Sequence, residues 1–242
     1  MRVKIVFCYH GARFLGSAPQ KNNKGVIDSL QKVFAKVGEN SKIVPSSRTD
    51  KGVHALRQIA HIDLRDLWSE RLDYLRDILN QTLSYVKIKQ LVLVSENFHA
   101  RFNAVKRVYR YIVSTKELTP FDEDFFTYAP KENLNQNEIQ RAMNTLIGEH
   151  NFEYFKKKGS NNKSDIRVIY NAKCYFYKDF FIFYFEANAF LRCQIRLLVS
   201  FLLSISQNKL THKQFIEQLT RQKIHSTKPA PSSGLYLTHI IY

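Results

Sequence analysis

Two periods take turns along this chain, one of two residues and one of three to four, and they predict its elements. Residues 2–9, RVKIVFCY, read as a buried strand. Residues 10–25 form a polar loop punctuated by Gly11, Gly16, Pro19 and Gly25. Val26, Leu30, Val33, Phe34 and Val37 then recur at helical spacing and predict a helix over 26–38. A short strand at 42–45, an alternating strand at 57–64, a helix marked by Leu72, Leu75, Leu79 and Leu83, and a strand at 86–94 follow. The order is roughly β-α-β-β-α-β.

The second half runs a similar order without visible sequence identity. Residues 106–115 predict a strand with Val108, Arg110 and Ile112 on one face and Arg107, Tyr109, Tyr111 and Val113 on the other. After a loop at 116–134, Asn135 with Glu138 reads as a capping box. It opens a helix that carries Ile139, Met143, Leu146 and Ile147 and stops at Gly148. Residues 151–165 read as a polar, basic, mobile loop. Strands at 166–177 and 180–187, joined by Lys178-Asp179, make a hairpin. An apolar helix at 190–206, a helix at 212–222 capped by Thr211 and Gln214, and a strand at 235–241 complete the order. The plain reading is an α+β fold in two halves, 1–105 and 106–242, with mainly antiparallel sheets.

Charge narrows the function. Against 21 Asp and Glu stand 37 Lys and Arg, a formal charge of +16. Such an excess implies an anionic partner, nucleic acid first of all. An anionic membrane surface fits less well, because the basic residues are not gathered in one amphipathic helix or tail. The longest apolar run, 197–206, is too short to span a membrane, and the first residues read as a strand and not a signal peptide. Cys8, Cys174 and Cys193 are far apart and form no CxxC, which points to ordinary thiols in a reducing cytoplasm.

Three stretches could carry chemistry. Residues 46–57, SSRTDKGVHALR, set Asp50 among Arg48, Lys51 and Arg57, and nearby cations favour an ionised carboxylate. Asp50 suits either a functional acid or a turn aspartate capping a neighbouring amide. Arg192 and Arg196 lie four apart on one face of the apolar helix, and an arginine in such surroundings calls for an anionic partner, although a solvent-facing stripe has the same spacing. Residues 98–111 interleave Arg101, Lys106, Arg107 and Arg110 with Phe98, Phe102, Tyr109 and Tyr111. Arginines grip phosphates and aromatics stack on unpaired bases, although a solvated basic edge strand has the same composition. The histidines form no metal set, and no Walker or GxGxxG spacing occurs, so neither metal nor cofactor is implied. A non-catalytic RNA-binding module accounts for the basic and aromatic residues but leaves Asp50 and Arg196 without a role. A metal-dependent nuclease built on Asp50 and Asp63 lacks a third acid.

Residues 47–55, SRTDKGVHA, resemble the GRTDxGVHA signature of the tRNA pseudouridine synthase A family. FHARF at 98–102, RVYRY at 107–111, ANAFLRCQIR at 187–196 and GLYL at 234–237 resemble further motifs of that family, in order over nearly the whole chain. The resemblance implies Asp50 as nucleophile and Tyr109 as the tyrosine that contacts the target base. It also implies Arg196 as the cation paired with the aspartate, and Leu235 as the apolar residue under the site. Asp50, Tyr109 and Arg196 are expected to converge in one cleft, with Arg48, Arg101, Arg107 and Arg110 gripping RNA. It further implies two α+β halves sharing a continuous, mainly antiparallel sheet with a basic central cleft, a homodimer, no metal or cofactor, and isomerisation of uridines 38, 39 and 40 in the tRNA anticodon arm. The chain departs from the family pattern early. Tyr9-His10-Gly11 and Gly16-Ser17 stand where YDG and GWQ are usual, Ile27 stands near a usual Gln, and Ser47 replaces a glycine.

Overall fold

The computed structural model describes residues 1–157, 159 and 163–242. In chain order the elements are β1 (Arg2–Tyr9), α1 (Val26–Lys36), β2 (Val44–Pro45), β3 (His54–Asp63), α2 (Leu72–Thr82), β4 (Val86–Val94), β5 (Lys106–Ser114) and β6 (Thr127–Tyr128). There follow α3 (Gln136–Asn144), β7 (Gly148–Asn151), β8 (Ile166–Tyr177), β9 (Phe180–Ala187), α4 (Gln194–Ser206), α5 (His212–Leu219) and β10 (Leu235–Ile241). The fold is α+β. Two compact units divide it, one of residues 1–105 with 236–242 and the other of 106–235. The closing strand thus packs with the first unit, whereas the division 1–105 and 106–242 expected from element order assigns it to the second.

In the first unit the strand order is β4-β1-β3-β10, with β2 beside β3. β1 runs antiparallel to both its neighbours, and its alternation buries Val3, Ile5 and Phe7 completely. α1 starts where the Asp28 carboxylate accepts the Gly25 N–H at 2.8 Å. It buries one stripe, Val26, Ile27, Leu30, Val33 and Phe34, and a fully buried Leu or Phe is worth about 1.5–3 kcal/mol. α2 packs Leu75 and Leu79 inward against β4. β3 begins at His54, three residues before the sequence pattern places it. His54 and Ala55 pair in parallel with Tyr236 and Leu237 of β10, and that partner strand cannot be read from local alternation.

In the second unit the order is β5-β9-β8-β7, with β6 parallel to β5. β8 and β9 form the expected hairpin, turned at Lys178 with φ 53°. The Asn135 side chain accepts the Glu138 N–H at 3.2 Å and caps α3. Thr211 and Gln214 cap each other's backbone at the start of α5. That helix ends at Leu219 and not at 222, and Arg221 turns left-handed at φ 62°. α4 buries Leu197, Leu198, Val199, Phe201, Leu202 and Ile205, and Phe201 joins Phe155 and Phe215 in an aromatic cluster.

α4 corrects one expectation. It begins at Gln194, not at 190, because Cys193 takes a left-handed φ of 60° and the Gln194 side chain accepts the Leu191 N–H at 2.7 Å. Arg192 is therefore exposed in the preceding turn and shares no helical face with Arg196. Of the loop expected at 151–165, residues 158 and 160–162 lie outside the described residues, and Glu153–Phe155 form a helical turn with Phe155 buried.

Candidate active site

The Asp50 loop is built from Thr49. Thr49 is buried, and all of its polar groups are held: its N–H donates to Ser17 Oγ at 2.7 Å, its carbonyl accepts the Ser17 N–H at 3.1 Å, and its hydroxyl bonds the Tyr9 hydroxyl at 2.8 Å. Burial pushes the Tyr9 phenol up to about 12, so it stays neutral and keeps its proton for hydrogen bonding. Asp50 follows, half-buried, and its carbonyl accepts the Val53 N–H at 3.2 Å to close the turn. Arg48, Lys51 and Arg57 are exposed around it.

The polar loop at 10–17 is the brace for this turn. Gly16 has φ +117°, and a β-carbon there would lie 3.1 Å from the Thr49 carbonyl oxygen, so the two backbones touch as only a glycine permits. The Gly11 N–H donates to His54 Nδ1 at 3.1 Å, and the His54 ring stacks on Tyr236 at 4.7 Å. The segment in which the sequence departs from the pattern it resembles thus braces the loop that carries Asp50. Ser17, at the position usually taken by tryptophan, supplies both hydrogen bonds to the Thr49 backbone.

The FHARF segment lies in the same unit. His61 Nδ1 accepts the Ala100 N–H at 3.1 Å, and His99 Nδ1 accepts the N–H groups of Arg101 and Phe102. Burial, then the Arg2 charge, hold the His61 imidazole below the ordinary histidine range. Arg101 and Phe102 are exposed, with the Arg101 guanidinium 5.8 Å from the Phe102 ring centre. Asp63, the second acid of the nuclease reading, is in a two-bond pair with Arg2 at 2.7 and 3.0 Å.

In the second unit Tyr109 is buried, its ring edge-on to Phe190 at 5.3 Å. Arg110 is exposed on the opposite face of β5. Arg107 is not on a solvated face: it is 8% exposed, and its guanidinium donates to the Asn188 carbonyl at 2.7 Å. Arg196 is half-buried in the first turn of α4, and its Nε–H donates to the Ala230 carbonyl at 2.7 Å. Leu235 is buried at the start of β10. Asp50, Arg48 and Arg101 thus belong to the first unit, and Tyr109, Arg107, Arg110, Arg196 and Leu235 to the second. The sequence marks Tyr9 and Ser17 only as positions of the early loop and Thr49 only as part of the RTD motif, and none of the three announces the hydrogen bonds that join them. Among the described residues no group of three or more His, Cys, Asp or Glu is arranged to hold a metal ion.

Comparison with known proteins completes the description. A family described as tRNA pseudouridine synthase matches residues 142–242. The tRNA pseudouridine synthase A of Campylobacter jejuni (strain RM1221) is 39% identical over 244 residues, covering 100% of both chains. That of Wolinella succinogenes is 37% identical over 97% of this chain and 92% of its own, and that of Limosilactobacillus reuteri 34% identical over 100% and 96%. Among solved structures, the "Crystal Structure of a Cbf5-Nop10-Gar1 Complex" overlaps 81% of this chain and 43% of its own at 11% identity and a TM-score of 0.37, a likeness too loose to bear on the assignment.

Proposed function

This chain belongs to the tRNA pseudouridine synthase A family, and from that premise we propose that Asp50 is the nucleophile with which it isomerises uridines 38, 39 and 40 of the tRNA anticodon arm. Its activity is that of an isomerase that converts uridine to pseudouridine. The reaction breaks the C1′–N1 bond, turns the uracil and forms a C1′–C5 bond; the proton lost from C5 is balanced by one gained at N1. A base within a stem must first leave the stack. The Asp50 carboxylate then opens the glycosidic bond through a covalent adduct, at C1′ of the ribose or at C6 of the base. Arg196 is the cation that keeps the carboxylate ionised and oriented. Tyr109 contacts the turned uracil. Arg48, Arg101 and Arg110 grip phosphates, and Leu235 packs beneath the site. Arg107, tied to Asn188, acts by holding the end of β9 in place. A homodimer in the cytoplasm, needing neither metal nor cofactor, completes the reading.

The observation that carries this proposal is the bracing of Thr49. Three hydrogen bonds fix the residue before Asp50 while Asp50 itself stays half-exposed, an arrangement that suits a carboxylate delivered to a substrate. Asp50→Asn is the test. Tritium release from tRNA carrying C5-labelled uridine is expected to vanish, while tRNA binding stays within about three-fold of wild type. Turnover retained by that variant would sink the assignment.

A further inference from the structure

Arg196 is not anchored by α4 alone. Its Nε–H donates to the Ala230 carbonyl at 2.7 Å, and its own carbonyl accepts the Ala230 N–H at 2.9 Å. One residue, Ala230, thus reads both the side chain and the backbone of Arg196. Pro229 and Pro231 flank it and restrict the backbone of the peptide that carries the anchor.

What holds that peptide is Tyr111. Its ring is fully buried on β5, and its hydroxyl donates to the Pro231 carbonyl at 2.9 Å. A phenol has one proton, so the 2.7 Å contact with Thr127 Oγ1 is a bond that Thr127 donates and Tyr111 accepts. Burial pushes the Tyr111 phenol up to about 12, which keeps that proton in place at neutral pH. The same ring closes the other end of the segment. A β-carbon at Gly234 would lie 2.9 Å from the Tyr111 ring and 2.8 Å from the Ile112 carbonyl oxygen, so the chain passes flush against the tyrosine. The Ile112 N–H also donates to the Gly234 carbonyl at 2.8 Å. Residues 230–234 are therefore clamped at one end by the hydroxyl of Tyr111 and at the other by its ring.

We propose that Tyr111 is a positioning residue for Arg196: by holding the Pro231 carbonyl it fixes the adjoining Ala230 peptide, and so sets where the arginine's guanidinium sits. Tyr111 acts through Arg196 and touches no reacting atom. The inference rests on the reading of Arg196 as part of the catalytic set.

A double-mutant cycle tests it, with kcat and KM for tRNA measured by tritium release for wild type, Tyr111→Phe, Arg196→Ala and the double variant. Tyr111→Phe keeps the ring and removes the hydroxyl. It is expected to lower kcat about ten-fold with KM within about two-fold, because a small misplacement costs turnover more than binding. In the Arg196→Ala background the same change is expected to alter kcat by less than about two-fold. Additive effects, or a full kcat in Tyr111→Phe beside a low one in Arg196→Ala, overturn the proposal while leaving the reading of Arg196 standing. A full kcat in Arg196→Ala removes that reading and the proposal with it. Thermal melts report whether each variant is folded. If Tyr111→Phe does not fold, Thr127→Val takes its place in the cycle, since it withdraws the hydroxyl that orients Tyr111. Its expected loss in kcat is about three-fold, again only where Arg196 is present.

Discussion

Replacing Ser17 by alanine removes one oxygen from the brace under Asp50. That oxygen accepts the Thr49 N–H at 2.7 Å, and Ser17 is 1% exposed, so water cannot take its place without opening the loop. A buried N–H left without an acceptor costs about 1–3 kcal/mol. At this chain length each kcal/mol lowers the melting temperature by about 2–4 °C, so Ser17→Ala should melt about 2–12 °C below wild type. The effect on turnover follows from position. Thr49 is bonded to Asp50, and the two remaining hydrogen bonds, from the Ser17 N–H to the Thr49 carbonyl at 3.1 Å and between the Thr49 and Tyr9 hydroxyls at 2.8 Å, keep the loop attached but less tightly aligned. A displacement near 1 Å can cost up to about 100-fold, and a loosened, still tethered carboxylate should lose about ten-fold in kcat with little change in KM. Thermal unfolding followed by circular dichroism gives the first number, and tritium release at saturating tRNA gives the second. A lowered melting temperature with unchanged kcat would refute the link between the brace and the chemistry. Unchanged values of both would show that the Ser17–Thr49 bond bears no weight at all.

Two further outcomes follow from other parts of the first unit. His61 is held below its ordinary value of 6.5, chiefly by burial, so near that pH the folded state carries fewer protons than the unfolded one and stability rises with pH. The contribution is full above about pH 6.5 and is lost on acidification; the wild-type melting temperature should therefore fall more between about pH 7.5 and 5.5 than that of His61→Asn, and parallel curves would refute the assignment. Arg101 is exposed beside Phe102, and if it meets a phosphate, Arg101→Ala should reduce the slope of log affinity against log salt by about one in tRNA binding titrations. An unchanged slope would remove Arg101 from the RNA contacts.

The sequence was most legible where period and local chemistry agree. The strands at 86–94 and 235–241 and the hairpin at 166–187 have the bounds that alternation and the Lys178 turn predict. It was least legible where a distant partner decides. His54 and Ala55 join β3 because Tyr236 and Leu237 lie beside them. Residues 190–193 look helical by composition, yet Cys193 turns left-handed and Gln194 caps the Leu191 amide, which puts Arg192 outside α4. The candidate site shows the same division. Asp50, Tyr109 and Arg196 stand out as residue types in motifs. The Ser17 and Tyr111 hydroxyls each bond a backbone group far along the chain, and no local pattern announces such a bond.

The strand that stacks Tyr236 against His54 belongs to the first unit, yet a ribosome delivers it only after all of residues 106–235. Domains commonly fold in the order in which they are synthesised, but here the earlier unit must wait with the edge of β3 open beside the Asp50 turn. An open strand edge is a template for wrong pairing. Until β10 is made, His54 and Ala55 therefore lack their partner strand, and a fragment of residues 1–105, which never receives Tyr236 and Leu237, is expected to leave that edge unpaired.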